Sequence, residues 1–176
     1  MQHTAPRTYP RDIDERSTAF DAAAAAFDPA AIVGPMLRRL HDSWRAAAGG
    51  ADMPTPDAFA PDAIGWAREH LSVHDVLSDG TFRFRIDAPH TAKIYGIDMS
   101  GRPLSDYPEP RVREIIARTL ARVVATRAPV REMRDIAVSA WRWEYEILLV
   151  PLSRDGTRVD AIYSLPQIGA EIRRPL

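Results

Sequence analysis

From Pro35 the apolar residues Met36, Leu37, Leu40 and Trp44 recur every three or four positions until Gly49 and Gly50 break the run. This spacing predicts an amphipathic helix over 35–48, with Pro35 suited to a first turn whose N–H would have had no partner. A longer stripe begins after Pro110, where Val112, Ile115, Ile116, Leu120, Val123 and Val124 share one helical face. Arg111, Glu114, Arg118 and Arg122 take the opposite face. Pro129 biases the residue before it away from helical geometry, so this helix should end near Arg127.

Elsewhere the period is two. Leu71–Leu77 and Thr81–Asp87 read as strands joined through Asp79 and Gly80, with Phe82, Phe84 and Ile86 alternating with Arg83 and Arg85. The pattern predicts a hairpin with one wet face. Three more strands follow the long helix, Val130–Val138, Trp141–Leu152 and Thr157–Leu165, the last two joined by Ser153, Arg154, Asp155 and Gly156. Between the two strand groups, turn chemistry at Gly96, Gly101 and Pro103 leaves room for short helices only. A short helix is also expected over 61–69, anchored by Ile64 and Trp66.

The first 16 residues carry proline and charge without periodicity, and Ser17–Phe27 is alanine-rich with a thin apolar face. Residues 1–30 are thus expected to be a flexible, partly helical arm. Residues 31–50 form a flanking helix and 51–170 the main domain, entered through a proline-rich linker.

Composition narrows the function. The chain has 176 residues, 45% of them hydrophobic, with 23 basic and 24 acidic side chains and a formal charge of −1. That is enough apolar material for one folded domain, and the balance gives no support for nucleic acid as a partner. The absence of cysteine excludes disulfides, thiolate nucleophiles, iron–sulfur clusters and cysteinyl photoadducts. No apolar run approaches the roughly 20 residues needed to span a bilayer, and the N-terminus is too polar and acidic for a secretory signal. The expected location is the cytoplasm, without membrane attachment. No serine lies in a nucleophile elbow and no glycine-rich phosphate loop occurs, so no enzymatic activity is expected. His70 and His74 are four apart, a spacing that suits a metal on a helix but separates side chains by roughly 13 Å on a strand. Their strand-like setting argues against metal.

The order of elements, together with DMSGR at 98–102, resembles a PAS domain. LHDSWRAAAGG at 40–50, MPTPDAF at 53–59 and EYEILLVPLSRDG at 144–156 resemble the short, mostly single-domain bacterial PAS proteins. The resemblance covers roughly residues 36–168. In that family a glycine or threonine pair often precedes the short helices, where this chain has Asp87, Ala88 and Pro89. The resemblance implies an α+β fold with a five-stranded antiparallel sheet, helices packed on one face and an N-terminal flanking helix. It also implies a space between sheet and helices that holds a small molecule or is simply core.

Trp141, Trp143 and Tyr145 alternate along one strand with Ile147 and Leu149, and their rings serve either as ligand contacts or as core. In the implied fold Tyr95, Ile116 and Leu120 approach the same space. Haem-binding PAS domains use a histidine on the long helix, which has none here, so haem is not expected. A covalent chromophore is not expected either, and a noncovalent small molecule stays open. The reading is a stand-alone sensory or regulatory module of bacterial signalling that acts through small-molecule binding, protein binding or both. The alternatives are a sequestering ligand-binding protein and a homo-oligomeric scaffold. A signalling protein partner is expected, as is a homodimer with Met36, Leu37, Leu40 and Trp44 in its interface.

Overall fold

A computed structural model describes residues 13–17, 26–138, 141–168 and 174–175. The predicted helices are present as α1 (Pro35–Ala48) and α3 (Pro110–Thr126), with a short α2 (Pro89–Tyr95) between them. Proline opens each one. Glu109 caps α3 by accepting a hydrogen bond from the Val112 N–H at 2.6 Å. Gly49 ends α1 in the left-handed region at φ 58°, where a residue without Cβ pays no steric penalty. The turn over Pro61–Ala67 is a 3₁₀ helix kinked at Ile64, which is buried, while Trp66 lies beneath the Arg39 guanidinium at 4.3 Å.

The sheet is antiparallel throughout. Its strands are β1 (Ile13–Ser17), β2 (Ser72–Val76), β3 (Phe82–Ile86), β4 (Val130–Val138), β5 (Trp141–Leu152), β6 (Ala161–Ile168) and β7 (Arg174–Pro175). Five of these form the predicted sheet in the order β4-β5-β6-β2-β3. β1 is added outside β4, and β7 pairs with the start of β5.

β1 differs from the expected flexible, partly helical arm at residues 13–17. Ile13 pairs with Val138 and Ser17 with Arg134, so this polar segment is held by the backbone ladder of an edge strand and needs no apolar face. Residues 18–25, most of the stretch expected to be helical, lie outside the described residues. β6 starts later than predicted because Asp155 organises a longer turn. Its Oδ1 accepts from the N–H groups of Thr157 and Arg158 and from the Thr157 hydroxyl, and Leu152 then pairs with Ala161.

Helices cover both faces of the sheet. On β5, alternate side chains point to opposite sides: Ile147 sits opposite Glu132 on the side of α3, and Glu146 sits opposite Gln167 on the side of α1. Glu146 accepts from the N–H groups of Val33 at 3.1 Å and Gly34 at 2.6 Å, and Gln167 accepts from Met36 N–H at 2.9 Å. These contacts pin the start of α1 to the outer face, where Phe59 stacks on Tyr163.

The apolar stripe of α1 is consumed by this packing. Leu37 and Leu40 are fully buried, Trp44 is 3% exposed, and the Trp44 indole N–H donates to Pro151 O at 2.7 Å. Of the four residues expected at a dimer interface only Met36 is partly exposed. The physical reason is that β5 and β6 present an apolar outer surface of their own, Leu148, Val150, Leu152 and Leu165, all buried. The flanking helix is therefore part of the core, and its stripe is not a free docking surface.

Candidate functional site

The inner face, between the sheet and α2 and α3, holds the densest polar chemistry of the interior. Thr119, Glu132 and Arg134 are all at least nine-tenths buried, at 1%, 4% and 6% exposure. The Thr119 hydroxyl lies 3.1 and 3.0 Å from the two Glu132 oxygens and 3.0 Å from Ile115 O. Arg134 donates to Thr119 Oγ1 at 2.9 Å and to Glu132 Oε2 at 3.2 Å. An ion pair in such a place loses more hydration than an apolar pair of equal volume would, so it is a costly way to fill a core.

A second group reaches the same face from β2. His74 is 4% exposed and lies edge-on to Phe84 at 4.7 Å, with Nε2 3.1 Å from Ser164 Oγ. Its Nδ1 is buried and has no hydrogen-bond partner. Burial, and next the positive charge of Arg134, lower the His74 pKa to about 4 against a weaker opposite pull from Asp75. The ring is neutral at pH 7, and its Nδ1 presents either an unmatched donor or an unmatched lone pair to the interior.

An aromatic chain extends this group to α2. Phe84 stacks on Tyr107 at 6.3 Å, and Tyr107 meets Tyr95 edge-on at 6.3 Å. Beside it, Asp87 is buried where β3 leads into α2, and accepts from Met99 N–H at 3.1 Å. Burial raises its pKa to about 6 and Asp98 adds to the rise, against hydrogen bonds from Met99, Ser72 and Ala88. The Ser100 hydroxyl accepts from Asp87 N–H at 2.9 Å, so the unusual Asp87–Pro89 segment locks the DMSGR turn to the start of α2.

The structure brings together part of the predicted site. Tyr145 is buried and in register with Arg134. Leu120 is buried and Ile116 partly buried on the α3 turn that carries Thr119. Tyr95 sits at the far end, linked through Tyr107 and Phe84 to His74. Trp141 and Trp143 lie on β5, and their side chains fall outside the described residues. His70 and His74 diverge: His74 enters the inner face, while His70 packs on His90 with ring centroids 4.7 Å apart. Sequence reasoning missed Thr119, Glu132, Arg134 and Ser164. The available signal was the alternation in β4, which sends Glu132 and Arg134 to the same side as Val130.

This architecture matches known proteins. The family model described as PAS domain matches residues 33–165, and the chain belongs to that family. The PAS domain from Bordetella pertussis BvgS is similar in fold, with TM-score 0.52 and 16% identity over 65% of this chain and 86% of that one. The LOV domain of the blue-light photoreceptor Aureochrome1 gives TM-score 0.41 and 10% identity over 64% of this chain and 90% of that one. A comparison with curated proteins gave no match. PAS domains are in general sensory and signalling modules, and this chain is one of them by family.

Proposed function

We propose that the chain is a sensory module of bacterial signalling whose inner sheet face recognises a small polar molecule, held without covalent attachment. The liganded or empty state is then read by a protein partner in the cytoplasm. The observation that carries this reading is the buried Thr119–Glu132–Arg134 cluster beside the unpartnered Nδ1 of His74. A core that served stability alone would be better filled by apolar side chains than by a buried Glu–Arg pair, and a buried histidine held neutral, as His74 is, is the kind of group that concentrates at functional sites.

Native mass spectrometry of the full chain purified from its own host tests the proposal, alongside a Glu132→Leu/Arg134→Met double variant. The wild type is expected to carry a stoichiometric small molecule that the folded double variant lacks. Absence of any bound mass, together with no stabilisation of the wild type in a metabolite thermal-shift screen, would overturn it. Affinity capture with and without the ligand separates signalling from sequestration, because only a signalling module retains a partner in a ligand-dependent way.

A further inference from the structure

A second site lies away from the inner face. A cleft of about 420 Å³ opens between the segment at Phe27, the C-terminal half of α1 and the turn that follows α3. Its wall includes three rings in sequence, Phe27 to His41 at 5.4 Å and His41 to Trp44 at 6.2 Å, tilted by 41° and 34°. Two guanidinium groups also line it. Arg45 donates to Ala51 O at 3.3 Å and Arg127 to Thr157 O at 3.5 Å, and neither has a carboxylate partner among the described residues.

Arg127 is also the one non-glycine residue of positive φ among the described residues, at 51°. It occupies the C-cap of α3, where glycine is the usual choice because a Cβ there is strained. A side chain kept in a costly backbone conformation, with its charge unmatched at the lip of a cleft, is evidence of use rather than of packing. The C-terminal end of α3 is the negative end of its dipole and Asp52 also lines the cleft, so the two guanidinium groups are the groups that favour an anion there.

We infer that this cleft binds a small planar aromatic carboxylate, its ring against Phe27, His41 and Trp44 and its carboxylate between Arg45 and Arg127. Rings suit a flat apolar body, and the planar guanidinium fork suits a carboxylate. The site is separate from the inner face and does not depend on what that face holds.

Amide and indole NMR spectra of the full chain, titrated with indole-3-carboxylate and with the uncharged indole-3-carboxamide, test the inference. Saturable shifts are expected at the Trp44 indole N–H and the Arg127 amide, with at least tenfold weaker binding for the carboxamide. The Arg45→Gln/Arg127→Gln variant should lose the same factor. Arg127→Gly separates binding from folding: it should raise Tm by ~2–4 °C by relieving the strained cap while weakening carboxylate binding. Absence of saturable shifts, equal binding of acid and amide, or full binding by Arg127→Gly would each overturn the inference.

Discussion

The Glu146 carboxylate accepts a 2.6 Å hydrogen bond from the backbone N–H of Gly34, a residue 112 positions earlier in the chain. Arg131 donates to the same carboxylate and Val33 N–H adds a third bond. Burial pushes the Glu146 pKa up, but these donors outweigh it and hold the group below the usual glutamate range. A carboxylate with a lowered folded pKa contributes stability above its unfolded pKa and loses it as pH falls through the folded value. Glu146→Ala is expected to cost about 1–3 kcal/mol at pH 7, because it orphans two backbone donors and an arginine. Denaturant titration at pH 7 and below pH 4 checks this, with the difference from wild type shrinking in acid.

Trp44→Ala is expected to destabilise the chain by about 3–5 kcal/mol, as removal of a largely buried ring does. Trp44→Phe should cost less, since the main loss is one hydrogen bond to Pro151 O, worth about 1 kcal/mol. Light scattering on the Phe variant distinguishes core from interface. The mass should equal that of wild type, and a shift to smaller mass would assign Trp44 to a contact between copies.

His74 and Asp87 respond to acid in opposite directions. The His74 pKa is lowered to about 4, so the unfolded chain takes up its proton first and stability falls as pH drops from about 6.5 to 4. The Asp87 pKa is raised to about 6, so the folded chain takes up that proton first and stability rises as pH drops from 6 to about 3.8. Relative to wild type, His74→Leu should gain and Asp87→Asn should lose stability between pH 6 and 4, each by about 1 kcal/mol per pH unit. Urea midpoints at half-unit pH steps read both slopes, and parallel curves would reject them.

Glu132 and Arg134 should show the asymmetry of buried pairs. Arg134→Ala leaves a buried carboxylate without its cation and is expected to cost about 3–5 kcal/mol, whereas Glu132→Leu/Arg134→Met should be neutral or stabilising. Thermal unfolding of both variants measures the contrast. A double variant as damaged as the single one would assign the pair a structural role.

How far the sequence reaches differs between fold and site. α1, β4 and β5 were legible to the residue because Pro35, Gly49 and Pro129, and for β5 the alternation from Trp141 followed by the turn at Ser153–Gly156, mark their limits. β1 was not, since IDERS has no apolar face to betray a strand. The hairpin of β2 and β3 was read correctly, but not the register irregularity between Val73 and His74, nor that Arg83 and Arg85 both pair with Asp75. That single carboxylate offsets one of the two positive charges on the wet face. The burial of Tyr145 and Leu120 was legible because large apolar residues announce themselves by period. Thr119, Glu132, Arg134 and Ser164 read as surface residues in a one-dimensional pattern, and only the pairing of distant strands shows that they face the interior. The α1 stripe was visible, but whether such a stripe seeks a partner or its own sheet depends on what the sheet offers it.

β1 has a further consequence for how copies of this chain behave in concentrated solution. A nine-residue strand such as β4, left at the border of a sheet, offers a row of unpaired amides and carbonyls on which another chain can add. Here the half of β4 from Arg134 to Val138 is already paired. The border beside it becomes the backbone of β1, five residues long where β4 has nine, and so short an edge offers little template for the strand-on-strand growth that leads to aggregates. A segment that reads as a polar arm in the sequence therefore serves as a guard on the sheet's growing edge.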